Sequence, residues 1–248
     1  MPDYAAALLD QNRLFGELIR DADPTTPVPT CPEWSLQQLF RHLGRGHRWA
    51  AQIVREKLDA PLDPRAVVDG KPPAEQEGAL EWLRGGGQAV LDAVALTGPA
   101  APVWTFLGPR PAGWWIRRRL HEATVHRADA AIAVGAKYEL SPDLAADGIS
   151  EWLDLIVTEV GAGPRDNPID VGASLHLHAI DCDGEWILRS DASGLTLESG
   201  HEKSAVAARG RAVDLFQALT RRRVAEDVDV RILGATEVWT DWLARTPF

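Results

Sequence analysis

The chain has 248 residues, 45% of them hydrophobic, and a formal net charge of -10 at pH 7. That length allows one large domain or two ordinary ones. No apolar run reaches the ~18 residues of a membrane span, and the acidic balance argues against a general nucleic-acid binder. The two cysteines, Cys31 and Cys182, lie far apart and outside any C-x-x-C spacing. They fit no disulfide framework and point to a reducing cytoplasm.

The N-terminus carries acidic residues and no basic leader, so it reads as a helix of the mature protein rather than a signal peptide. Residues 3–19 space Ala6, Leu9, Leu14 and Leu18 at helical intervals. A proline-rich loop follows, and Ser35 is placed to cap a second helix. Leu36, Leu39, Phe40, Leu43, Ala50, Ile53 and Val54 form one stripe on it, with His42 and His47 on its opposite flanks. Residues 61–73 read as a linker. Residues 74–96 are a third helical candidate, weakened by Gly85, Gly86 and Gly87. A Pro/Gly-rich stretch over 98–113 leads into a fourth helix at 114–134, with Gly135 as its C-terminal cap.

Four helices joined by mostly long connections predict a four-helix bundle, a scaffold that builds metal sites in its core. A fifth helix at 141–160 bridges to a second half of different character. There Leu175, Leu177 and Ala179 alternate with His176 and His178, and Asp183-Gly184 and Asp191 to Gly194 supply turns. Strands are expected at 186–188, 195–197, 205–208 and 228–233, with helices at 212–222 and 235–244. The expected fold is α + (α+β), with a helical domain over residues 1–160. A small, mainly antiparallel α+β domain over 161–248 follows it.

Chemistry concentrates in three residues. Glu122 and His126 are four apart and share a helix face, and His42 lies on the second helix. Two imidazoles and a carboxylate suffice to hold a divalent metal and leave a coordination position open. The string HEATVH is not a zinc-protease motif, because His121 and His126 are five apart, about 140° around the helix. His121 is placed outside the ligand set. His47 is left to orient another group, face a substrate or pack in the core.

Of ten tryptophans, Trp34, Trp49, Trp82, Trp114 and Trp115 fall in the helical half and read mostly as packing. Arg117, Arg118 and Arg119 either line a pocket mouth and bind an anion through guanidinium forks or form a solvated basic face. Arg221, Arg222 and Arg223 close a helix, where cations suit its dipole. His176 and His178 share one strand face and read as a solvent-facing sheet surface. Nothing supports a phosphate loop, a serine triad or a nucleophilic cysteine.

Two motifs carry a resemblance. The turn Pro32-Glu33-Trp34-Ser35 with the step Arg41-His42-Leu43, and the run from Glu122 through His126 to Asp129, resemble the mycothiol-dependent maleylpyruvate isomerase family. That family is a branch of the DinB-like metal-binding superfamily. The two motifs imply that the bundle is DinB-like, and the second half is similar to the family's sterol-carrier-like domain. The resemblance implies zinc held by His42, Glu122 and His126, and mycothiol as a thiol ionised by the metal. The thiolate attacks a small electrophilic substrate, giving cis–trans isomerisation or S-transfer.

The resemblance also implies a catalytic arginine in the second domain, best matched by Arg222. Here Arg221-Arg222 stands where the family has Gly-Arg, which leaves the substrate open. Asp129 is placed to orient a ligand or a neighbouring arginine, or to serve structure. Two other readings share the scaffold: a non-catalytic protein binding a metal or small ligand, and a thiol-independent zinc hydrolase. The partners expected are a small-molecule substrate and a thiol, with no nucleic acid and no membrane.

Overall fold

The computed structural model describes residues 2–163 and 165–247. The chain divides into two compact units, one of Asp3–Tyr138 and a second that starts at Glu139. The first contains α1 (Tyr4–Ile19), α2 (Leu36–Glu56), α3 (Gln76–Thr97) and α4 (Trp114–Val134). All four pack on one another, α2 most extensively against α3 and α1 against α4. This is the expected bundle. The linker holds a single 3-10 turn at Pro64–Ala66. The Pro/Gly-rich stretch folds into a two-stranded ladder, β1 (Pro102–Val103) against β2 (Arg110–Pro111).

Local sequence explains the helix ends. Asp3 caps α1, its carboxylate accepting from the Ala5 and Ala6 amides. Ser35 and Gln38 form a reciprocal capping box on α2. Gly135, with φ +67°, ends α4 in the left-handed region that glycine reaches without steric cost. The stripe on α2 is buried throughout. α4 runs through the middle of the bundle, with two-thirds of its length buried, from Trp115 to Ala131. Its small residues (Ala123, Ala128, Ala130 and Ala131) let neighbouring helices approach.

α3 runs unbroken through its three glycines. At Gly87 a Cβ would lie 2.4 Å from Asn12 Nδ2, so the glycine admits α1 to close range. Propensity pointed to a weak helix here; tertiary packing overrides it.

In the second unit, α5 (Pro142–Ala162) packs on α6 (Ala212–Leu219) and on β5 (Gly194–Glu198). Ser150 Oγ accepts from Trp186 Nε1 at 2.9 Å. The division into compact units falls at 138/139, where the sequence expectation was 160, because α5 buries its apolar side within the second unit.

The sheet has the order β5-β4-β3-β6-β7, with β3 (Ser174–Ala179), β4 (Glu185–Asp191), β6 (Val206–Gly210) and β7 (Arg231–Gly234). Only β3 and β6 pair in parallel. α6 stops three residues short of the expected Arg222, and α7 (Thr236–Arg245) closes the unit. No helix among the described residues is long and apolar enough to cross a membrane.

Candidate metal centre

The capping box starts α2 so that His42 falls one and a half turns in, on the flank of the buried stripe. The loop before it is tightly turned. Val28 N donates to the Trp34 carbonyl at 2.9 Å, and Trp34 N to the Cys31 carbonyl at 2.8 Å. This turn stacks Trp34 beside His42, with ring centroids 4.6 Å apart, and points Thr30 and Cys31 at α4.

On α4, residues four apart stack on one face, which aligns Arg118, Glu122 and His126. Glu122 Oε2 lies 3.8 Å from His42 Nε2 and 3.4 Å from His126 Nε2. One donor atom from each of the three residues falls within 4.8 Å of the others. Donors around a tetrahedral zinc at about 2.1 Å stand about 3.4 Å apart, so the set has the right chemistry and nearly the right spacing.

The remaining donor atoms of Glu122 and His126 are occupied by protein. Arg118 donates to Glu122 Oε1. His126 Nδ1 pairs with Asp129 Oδ2 at 2.8 Å. Asp129 is wholly buried; its other oxygen accepts from the Thr30 hydroxyl at 2.5 Å, and Cys31 Sγ lies 3.9 Å from Oδ2. A hydrogen bond at Nδ1 fixes the tautomer and turns Nε2 forward as the ligand atom.

Electrostatics favour a ready carboxylate. Burial alone would raise the Glu122 carboxyl. The Arg118 guanidinium, the bonds from His126 and His42, and the Arg119 charge outweigh it and hold the group well below the usual carboxylate range. His126 is raised overall: burial lowers it, but Asp129 and Glu122 prevail. Burial pushes His42 down, against the pull of Glu122.

The structure settles the flanking residues. His47 is fully buried. Its Nδ1 accepts from Arg119 Nε at 3.3 Å, so its Nε2 carries the proton and donates to Asn12 Oδ1 at 2.8 Å. Burial and the Arg119 charge hold it well below the ordinary imidazole value. It is a core histidine that positions Arg119. Gly46 makes room for that arginine, since a Cβ there would lie 2.5 Å from Arg119 Nη2.

Arg118 and Arg119 are themselves buried, at 4% and 5% exposure. They are neither a solvated basic face nor a pocket rim but partners of Glu122, with Arg119 Nη1 3.6 Å from its Oε2. The i, i+4 spacing of Arg118 and Glu122 was the available sequence signal. The His47–Asn12 link had none, because α1 and α2 meet only in the fold. His121 is buried on α4 and is not among the three converging residues.

Arg222 lies in the second unit, past the end of α6. It is buried, and its Nη1 donates to the Thr220 carbonyl at 2.7 Å.

A family model described as the mycothiol maleylpyruvate isomerase N-terminal domain matches residues 5–131, a span that contains all three converging residues. Two solved structures resemble the whole chain. One is a crystal structure of a mutant of the mycothiol-dependent maleylpyruvate isomerase. It is 12% identical, with a TM-score of 0.58, and the match covers 94% of this chain and 93% of that one. The other is a crystal structure of the mycothiol-dependent maleylpyruvate isomerase, 13% identical, with a TM-score of 0.56 and 90% of each chain covered. At these identities the likeness is one of fold. No curated protein matches the chain.

Proposed function

This chain belongs to the mycothiol maleylpyruvate isomerase family, and on that premise we propose that it is a zinc-dependent, mycothiol-using enzyme. Its substrate is a small, electrophilic, anionic molecule, and its reaction is cis–trans isomerisation of the maleylpyruvate type. The observation that carries this reading is the convergence of His42 Nε2, Glu122 Oε2 and His126 Nε2 from two helices of the bundle. The other atoms of Glu122 and His126 are tied to Arg118 and Asp129. Zinc at this site supplies one thing: it lowers the pKa of a thiol, so that the nucleophile is a thiolate at neutral pH.

The chain's own residues do the rest. Thr30 holds Asp129, and Asp129 holds His126 in the tautomer that presents Nε2. Arg118 and Arg119 keep Glu122 ionised and balance its charge within the bundle. Trp34 packs against one side of His42, whose side chain stays 42% exposed. Bound mycothiol would supply a nucleophile for reversible addition to the substrate's activated double bond, which frees that bond to rotate with no net gain or loss of atoms; retention of the adduct, with the thiol's proton delivered to the second carbon, would amount to S-transfer.

We assign Arg222 to assist catalysis; its support is the resemblance of Arg221-Arg222 to the family's Gly-Arg step in the second domain. Activity retained in a folded Arg222→Met variant removes Arg222 from the scheme. The reading as a whole is tested with zinc-loaded full-length protein and maleylpyruvate. Isomerisation that requires mycothiol is expected. Turnover that is indifferent to thiol, or no turnover with both present, overturns it.

A further inference from the structure

β3 places His176 and His178 on the face opposite Leu175 and Leu177. Sequence spacing alone reads that face as solvent-facing. The structure differs for His176, which is only 5% exposed. β4 runs antiparallel to β3 and sets Glu185 directly opposite His178. The loop between β5 and β6 returns His201 to the same spot.

Glu185 Oε1 accepts from His178 Nδ1 at 2.7 Å and from His201 Nδ1 at 3.0 Å. Its Oε2 lies 3.9 Å from His176 Nε2. The three imidazoles meet edge to face, with centroids 5.2–5.9 Å apart. Donor atoms from all four residues fall within 4.8 Å of one another. His176 Nε2 is buried, faces this cluster and has no hydrogen-bond partner. A buried ring nitrogen left without a partner is a costly exception in a folded protein, and a ligand supplied from outside removes the cost.

We propose that His176, His178, Glu185 and His201 form a second metal site, in the C-terminal unit, for a divalent first-row transition ion. Three imidazoles and one carboxylate suit zinc, copper, nickel or iron, whereas magnesium and calcium prefer sites made wholly of oxygen. Neutral imidazoles and one carboxylate leave a divalent ion net positive, and four donors complete a tetrahedral shell. When the ion enters, His178 and His201 move their ring proton to Nε2 and bind through Nδ1. His176 binds through Nε2, the atom that now lacks a partner.

The site ties the loop between β5 and β6 to β3 and β4. It lies outside residues 5–131, the span the family model matches, and does not depend on the bundle centre.

The test is calorimetric titration of untagged full-length protein with zinc chloride, compared with His201→Ala, Glu185→Gln and His126→Ala variants. His201 is 71% exposed in its side chain, so its removal leaves the fold intact. Two zinc sites are expected in the wild type, one of them lost in His201→Ala and in Glu185→Gln and kept in His126→Ala. A single wild-type site that His201→Ala removes also supports the proposal, while counting against the bundle centre. Zinc stoichiometry unchanged by His201→Ala overturns it, as does a protein that takes up no zinc.

Discussion

Asp129 decides which face of His126 is available. With no exposure to water and both oxygens engaged by His126 Nδ1 and the Thr30 hydroxyl, it would act on the proposed metal centre through one imidazole. Asp129→Asn keeps the shape and removes the charge. The expected result is a ~10–100-fold loss of zinc affinity, the usual cost of losing a partner behind a ligand, measured by competition with a chromophoric chelator. Unchanged affinity would show that Asp129 serves packing alone. The His42, Glu122 and His126 pattern was legible as residue types at helical spacing. The destination of Arg118 and Arg119 was not. Three consecutive arginines fan over about 200° of the helix, and only the packing of α1, α2 and α3 around α4 reveals that two of them point inward.

α2 and α4 work as a pair because each is held by a local device. Ser35→Ala removes one half of the capping box. It should lower the stability of the helical unit by about 1 kcal/mol, read as a lower urea midpoint with an unchanged slope. Gly46→Ala acts differently. It forces Arg119 from its place against His47, and over-packing of this kind costs about 1–3 kcal/mol. The expected signature is a shifted His47 ring resonance together with that destabilisation; an unmoved resonance would contradict the close approach. Helix positions came within one to three residues of expectation, because the apolar stripe and the caps are both local. Gly85, Gly86 and Gly87 misled in the other direction: glycine lowers propensity, yet here it admits a neighbouring helix, a fact of distance that no single helix records.

At the scale of the whole chain, two units fold on separate cores. Stretches 3–138 and 139–247 each keep their helices against their own partners. The division at 138/139 differs from the expected 160 because α5 is a long amphipathic helix, and its sequence does not say which neighbour receives its apolar side. The histidine cluster of the sheet was half legible. His176 and His178 are two apart on one strand, but Glu185 comes from the adjacent strand and His201 from a later loop, so register and loop path had to be known. Zinc binding should couple to unfolding of the helical unit. At a free concentration 100 times its Kd, an ion stabilises by about 2.7 kcal/mol. For a chain of this size that is a rise of roughly 5–10 °C in Tm, lost on adding a chelator and absent from the helical unit's transition in His126→Ala. A Tm indifferent to chelator in the wild type would contradict it.

The most direct measurement is the absorption spectrum of cobalt-substituted protein titrated with mycothiol, run beside His126→Ala. The wild type should show the visible bands of a low-coordinate cobalt site, and thiol should add a sulfur-to-metal charge-transfer band at about one equivalent. His126→Ala should lose the thiol-dependent band and keep only the cobalt held by the cluster on the sheet. A spectrum that ignores thiol in the wild type, or a charge-transfer band that survives in His126→Ala, would contradict the assignment of His42, Glu122 and His126 as the centre that activates a thiol.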